Sequence, residues 1–257
     1  PAVRSSRAQC DKKRYAEAMQ SLMGGLPHLT VLQAEVSRLL VEGGSVRGVV
    51  LSDGARVVSR AVIVTSGTFL SAIMHTGAER SEGGRVGDAA AVGLSKDLAG
   101  LGFRLRRLKT GTPPRLHKDS IDWSKTQPQP GDAVPLPFSF YSVPNPFPRL
   151  RQVECFLTAT NPRTHEIIAS NFWRSPMYSG VIQGLGPRYC PSIEDKVKRF
   201  SQRSSHPIFL EPEGLDVDEI YVNGISTSLP ADVQDEFVRS IAGCEKAEFL
   251  RYGYAVE

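Results

Sequence analysis

Apolar residues recur at helical spacing early in the chain. Tyr15, Ala18, Met19, Leu22 and Met23 share one face, Asp11 stands where an N-cap belongs, and Gly24, Gly25 and Pro27 close the run. The spacing predicts a helix from Asp11 to about Met23. The pattern then changes to β-type runs, LTVLQAEVSRLLVE, SVRGVVLS and ARVVSRAVIVTSG, separated by Gly43-Gly44 and Asp53-Gly54. Such dipeptides supply the positive backbone angles of tight hairpins, so a three-stranded antiparallel meander is expected. The third run continues as AVIVTSGTFL without polar alternation. It reads as a strand buried on both faces that ends in a turn at Ser66-Gly67-Thr68.

Further along, Asp88 is placed to cap a helix through Leu94, Leu98 and Leu101, with Gly102 as its stop. FRLRRLKTG reads as a strand leading to a Pro-Pro turn, Lys118 to Leu150 as an irregular excursion, and QVECFLTATN as a strand. HEIIASNFWRSPMY reads as a short helix broken at Pro176, with Asn161-Pro162-Arg163 and Glu211-Pro212-Glu213-Gly214 as loops. A helix, a meander and a buried strand suggest an α/β chain. The expected architecture is a partial FAD-binding fold of the two-dinucleotide type, with a β-meander and an inserted α+β domain. In such a fold the adenine lies against the strand near Val36, although meanders also occur in unrelated mixed α/β domains. The expected divisions are 1–115 for part of the FAD-binding domain, 116–200 for the insertion and 201–257 for the return.

Composition narrows the class. The 257 residues are 40% hydrophobic and 23% charged, and no apolar run reaches the roughly 18 residues a membrane span needs. Cys10, Cys155, Cys190 and Cys244 are dispersed without a CxxC pair, which argues against a zinc site or a disulfide framework and for a reducing compartment. The net charge of +4 says little, but Arg104, Arg106, Arg107, Lys109, Arg115 and Lys118 form a local basic stripe. A start at Pro1 and an end at YGYAVE read as a piece of a longer protein.

Two segments could carry chemistry. Gly83-Gly84-Arg85-Val86-Gly87-Asp88 opens towards a helix, where backbone N–H groups bind phosphate or flavin oxygens; a plain loop-to-helix turn has the same pattern. Cys190 sits between Tyr189 and Pro191, and Pro191 suits the first position of a helix with Glu194 and Asp195 in its opening turn and Lys196, Lys198 and Arg199 towards its end. A thiolate there, near Arg188, would be a competent nucleophile, whereas a buried filler cysteine is the alternative. His165-Glu166 fails as a metalloprotease motif because Ala169 replaces the second histidine, and His75, His117 and His206 read as structural or surface residues. Trp123, Phe172, Trp173 and Tyr178 could stack on a base or pack in the core.

The runs GRVGD, RLKTGTPPRL, TNPRTHEII, RSPMYSG, GPRYCPSIEDKV, IFLEPEGL, NGISTSLPADVQ and GYAVE, with PAVRSSRAQCDKKRY near the start, resemble the MnmG (GidA) family, and the likeness covers almost the whole chain. The resemblance implies a homodimeric FAD enzyme that uses NADH and a carbon from methylene-tetrahydrofolate. With an MnmE-type GTPase partner it would add an aminomethyl or carboxymethylaminomethyl group to C5 of uridine 34 in certain tRNAs. A bacterial cytoplasmic or a mitochondrial location follows from the same likeness.

Carried over by position, Val36 and Ala91 match FAD-contacting sites, the second usually Ser in relatives. A backbone contact would survive at Ala91 and a hydroxyl contact would not. The proposed NAD-binding stretch matches Gly186, Pro187, Arg188, Tyr189, Cys190, Pro191, Ser192, Ile193, Glu194, Asp195, Lys196, Val197, Lys198, Arg199 and Phe200, and Cys190 matches the family's functionally important cysteine. Thiolate addition to C6 of uracil would give C5 the enolate character needed to attack a one-carbon unit; shaping the nicotinamide site is the other role open to Cys190. Arg104, Arg106, Arg107, Lys109 and Arg115 become candidates for neutralising tRNA phosphates, against the alternative of a solvated face or buried ion pairs. The family's GxGxxG fingerprint and its C-terminal flavin and partner-binding segments have no counterpart here, so this piece alone is expected to be inactive. A folate- and FAD-dependent tRNA uridine methyltransferase and a non-catalytic RNA-binding or dimerisation module are the competing readings.

Overall fold

The computed structural model describes residues 7–139, 147–184, 186 and 191–257. Helix α1 spans Lys12–Gly24 and is capped by Asp11. The Asp11 carboxylate accepts the Arg14 N–H and the Leu215 N–H, each at 2.9 Å. The expected apolar face is not a core face: no residue of α1 is buried, and Tyr15 and Leu22 are each 57% exposed. The helix is moored by charge instead, Lys12 to Glu213 at 2.7 Å and Arg14 to Asp216 at 2.9 Å.

The meander forms as its glycines dictate. Strands β1 (Val36–Glu42), β2 (Ser45–Leu51) and β3 (Arg56–Val58) pair antiparallel in that order. Gly43 and Gly44 take φ of +56° and +74°, the two positive angles a two-residue hairpin turn requires. The third strand stops earlier than the apolar run suggests. Residues 61–66 form no strand, and Ile63 is 87% exposed. A strand exists through its hydrogen-bonded neighbour, and none of the described residues supplies one to this run.

Strands β4 (Ile73–Thr76) and β5 (Glu79–Glu82) precede helix α2 (Val92–Gly100). The helix is capped at Ala91, not at Asp88, because the Asp88 carboxylate is taken by Arg85. Gly102, at φ +91°, does end it. In FRLRRLKTG only the end enters a named strand, β6 (Thr110–Thr112), since pairing with the chain's last strand starts at Thr110; Phe103, Leu105 and Leu108 are exposed. Then come β7 (Arg115–His117), β8 (Gln127–Gln129), β9 (Cys155–Ala159) and α3 (Pro162–Ser170). Asn161-Pro162 is the start of α3 and not a loop: the Asn161 side chain accepts the Thr164 N–H at 3.0 Å, and Pro162 fills the first turn.

The chain closes with α4 (Ile193–Arg199), β10 (Pro207–Pro212), β11 (Glu219–Asn223), α5 (Ala231–Arg239), β12 (Phe249–Arg251) and β13 (Tyr254–Val256). Glu211 and Pro212 thus belong to a strand and not to a loop, as the run leading into them is paired with β9 and β11. An antiparallel six-stranded sheet runs β12-β7-β11-β10-β9-β8, and a four-stranded one runs β5-β4-β13-β6. Residue 200 therefore lies at the end of α4, between strands of one sheet. The fold is a mixed α/β one, as expected. Its main core joins Leu116, Ile168, Ile193, Ile208, Leu210 and Phe237, all fully buried, so that the first residue of α4 is anchored in the sheet's own core.

Candidate functional site

Two neighbourhoods hold most of the described candidates. In the first, the loop after the meander and the glycine loop before α2 are knitted together. The Thr68 hydroxyl donates to the Gly84 carbonyl at 2.9 Å, and the Gly83 N–H donates to Ala72 at 3.0 Å. Gly84 must be glycine, because a Cβ there would stand 2.6 Å from the Thr68 carbonyl oxygen. Val36 and Ala91 are brought into the same network: Gly93, two residues into α2 from Ala91, abuts Ser37 so closely that a Cβ would lie 2.8 Å from its carbonyl oxygen. The Asp97 carboxylate accepts the Leu39 N–H at 2.8 Å and fixes α2 on β1. Ala91 itself is spoken for by the backbone: its N–H donates to Phe69 at 2.8 Å and its carbonyl accepts Ser71 N–H at 3.0 Å. Among the described residues no side chain caps α2.

The second neighbourhood is the start of α4. Helix formation begins two residues later than the proline suggested: Ser192 is the N-cap, its hydroxyl accepting the Asp195 N–H at 3.1 Å while Asp195 accepts the Ser192 N–H at 3.2 Å. A capping box outcompetes Pro191 as the start because it satisfies two donors at once. Glu194 and Asp195 do sit in the first turn, with Lys196, Lys198 and Arg199 in the last. The Glu194 side chain is fully buried; its Oε1 accepts the Ser228 N–H at 3.0 Å, and burial raises its pKa. Burial would raise Asp195 as well, but the Lys109 cation and the Tyr178 hydroxyl hold its carboxyl below the ordinary range. Val197 packs in the core, the Lys196 ammonium donates to the Gly224 carbonyl at 2.7 Å, and Phe200 ends the helix.

Pro187, Arg188, Tyr189 and Cys190 lie outside the described residues. Gly186 is described, and it crosses Lys109. With Ser192 as cap, Cys190 stands two positions ahead of the cap of a seven-residue helix whose first-turn donors are already claimed.

The basic stripe divides. Arg104 and Arg106 are exposed. Arg107, also exposed, donates to the Ser71 carbonyl at 2.6 Å and braces the first neighbourhood. Lys109 and Arg115 turn inward, into the buried ion pairs weighed as the alternative to phosphate contacts. Lys109 pairs with Asp195 at 3.2 Å, and Arg115 pairs with Glu219 at 3.1 Å under a Tyr221 ring 4.2 Å away. Both charges have a carboxylate partner inside the fold. The contacts of Tyr178 with Asp195 and of Glu194 with Ser175 and Ser228 escaped the sequence reading because the partners are distant in sequence. Trp123 packs on Phe156 with ring centroids 4.6 Å apart, and Phe172 on Tyr178 at 5.1 Å, so these rings serve packing; Trp173 is 75% exposed.

A meander, a glycine-built loop and a six-stranded antiparallel sheet with capping-box helices between two of its strands define a mixed α/β class that solved structures also show. The chain aligns with two crystal forms of Aquifex aeolicus GidA at TM-scores of 0.87 and 0.85, with 46% and 42% identity, over 96% of this chain and 42% and 39% of those chains. Residues 1–257 match the family described as glucose inhibited division protein A, and the chain belongs to that family. Relatives from Bdellovibrio bacteriovorus, Myxococcus xanthus and Geobacter sulfurreducens are 55%, 53% and 52% identical over all of this chain. Each is named tRNA uridine 5-carboxymethylaminomethyl modification enzyme MnmG. The chain spans 40%, 43% and 40% of their respective lengths.

Proposed function

We propose that this chain is part of an FAD- and NADH-dependent enzyme that modifies C5 of wobble uridine 34 in tRNA. It would draw carbon from methylene-tetrahydrofolate and act as a homodimer with an MnmE-type GTPase, in the bacterial cytoplasm or the mitochondrion. The observation that carries the reading is its family membership over residues 1–257, together with relatives above 50% identity named for that modification. No helix among the described residues is long and apolar enough to cross a membrane.

The residues present fit one edge of a flavin nucleotide. The strand that begins at Val36 and the helix that follows Ala91 meet where Gly93 abuts Ser37, and no side chain of the described residues caps α2. Val36 and Ala91 would contact FAD on this edge, and since the Ala91 N–H is already bonded to Phe69, its contact would run through other atoms. FAD, when bound, would supply electron transfer from NADH. Arg107 would keep the Ser71 loop in place beside it, while Arg104 and Arg106 would meet tRNA phosphates. Cys190 would add to C6 of the target uracil and raise electron density at C5. Its activation would rest on neighbouring cations.

The test uses the intact protein, the GTPase partner with GTP, an amine donor, transcribed tRNA, NADH and methylene-tetrahydrofolate labelled in the transferred carbon. Label in a substituted C5 group at uridine 34, dependent on both NADH and flavin, supports the reading. A C5-methyl product would assign the folate-dependent methyltransferase instead. A colourless protein that shifts tRNA without turnover would leave only an RNA-binding module.

A further inference from the structure

Gly184 and Gly186 pass directly over Leu108 and Lys109. A Cβ on Gly184 would stand 3.2 Å from the Leu108 carbonyl carbon, and one on Gly186 only 2.7 Å from Lys109 Cε. The lysine stem is thus the floor of that crossing. Its ammonium continues to Asp195, with Nζ 3.2 Å from Oδ2, the same oxygen that accepts the Ser192 N–H and closes the α4 cap. The Tyr178 hydroxyl donates to the other oxygen at 2.9 Å, and the Met177 sulfur lies 3.0 Å from Nζ. The two side chains are 11% and 13% exposed, so solvent screens their attraction little, and removing either partner strands the other charge.

We infer that Lys109 is a positioning residue: its stem packs against Gly186, and its charge, through Asp195, fixes the start of α4. The inference rests on reading Gly186–Phe200 as the dinucleotide-handling segment. It replaces the phosphate contact that the basic stripe suggested for Lys109. One residue would then set the geometry on both sides of Cys190 without touching a reacting atom, and small displacements there act on rate and cofactor binding rather than on tRNA affinity.

The experiment compares Lys109→Met, Asp195→Asn, the double variant and Lys109→Arg in the intact protein. Three quantities are read: the NADH KM for flavin reduction, tRNA affinity across a salt series, and hydrogen exchange of the Ser192–Lys196 amides. Lys109→Met and Asp195→Asn should each raise the NADH KM by about tenfold to a hundredfold. The double variant should do little more than either single change, because both break one link. Lys109→Arg, which keeps the charge, should recover most of the loss, a rescue that a general packing defect would not give. Exchange at Ser192–Lys196 should quicken while tRNA affinity and its salt slope stay put. A salt slope reduced by about one in Lys109→Met, with exchange unchanged, would make the lysine a phosphate contact and overturn the inference. Unchanged exchange in both single variants would overturn it too. Quickened exchange with an unmoved NADH KM would keep the latch and instead sink the dinucleotide reading of the segment.

Discussion

Glu194 offers a test whose sign and size both come from the structure. Its carboxyl is fully buried, and Oε1 accepts the Ser228 N–H at 3.0 Å, the Ser228 hydroxyl at 3.2 Å and the Ser175 hydroxyl at 3.3 Å. Oε2 has no hydrogen-bond partner among the described residues. In Glu194→Ala the two serine hydroxyls can still bond each other, being 2.9 Å apart, but the Ser228 N–H is orphaned. That orphan costs about 2 kcal/mol, and the space left behind about 2 more. Together they should lower the thermal midpoint by about 10 °C.

Glu194→Gln keeps the accepting oxygen and isolates the charge. Burial raises the folded-state pKa of Glu194 above the unfolded value. The folded protein therefore holds this proton more tightly than the unfolded chain. Its contribution is complete below the unfolded carboxyl pKa and is lost as pH climbs towards the folded one, about 1.4 kcal/mol for each pH unit between them. Glutamine does not titrate. Urea or thermal unfolding of both proteins from about pH 5 to about pH 8 should show the wild type losing stability relative to Glu194→Gln. Background titrations shared by the two proteins, such as His75, His165 and His206, cancel in the difference. A wild type that gains on the variant as pH rises would refute the account, because it would mean that Glu194 is ionised and paired in the fold.

Four further outcomes follow from particular residues. Gly48→Ala should disrupt the meander outright, since φ is +140° and a Cβ would lie 2.0 Å from the Val57 carbonyl oxygen; loss of β-sheet circular dichroism and a clear midpoint drop are the measures. Asn161→Ala removes the α3 cap and the 2.6 Å bond from its amide to the Ser240 carbonyl, and should cost about 1–2 kcal/mol in urea unfolding. Charge reversal at Arg104 and Arg106 should weaken tRNA binding and flatten its salt dependence by about one for each phosphate that is no longer neutralised. Arg115→Ala should instead lower stability, through the stranded Glu219, and leave that slope unaltered.

What the sequence made legible was local. Gly43-Gly44 dictates a tight hairpin wherever it occurs between β-type runs, Asp11 caps α1, and the acids and bases of α4 sit at the ends they were assigned. What it concealed depended on partners far along the chain. AVIVTSG reads as a buried strand by composition, yet pairing decides strands, and no described neighbour pairs with it. Lys109 and Arg115 look like members of one exposed stripe until Asp195, 86 positions on, and Glu219 claim them. Asp88 looks like a cap because nothing in the local pattern shows that Arg85 will occupy its carboxylate. The functional motifs were legible as motifs, while the Lys109–Asp195 link between two of them was not.

The role proposed above for Cys190 is that of nucleophile in a tRNA-modifying flavoenzyme. Cys190→Ser in the intact protein, assayed for labelled carbon at uridine 34 with bound FAD quantified alongside, addresses it most directly. The account predicts that the label disappears while flavin content and tRNA affinity are retained. Undiminished labelling of uridine 34 by that variant would contradict it.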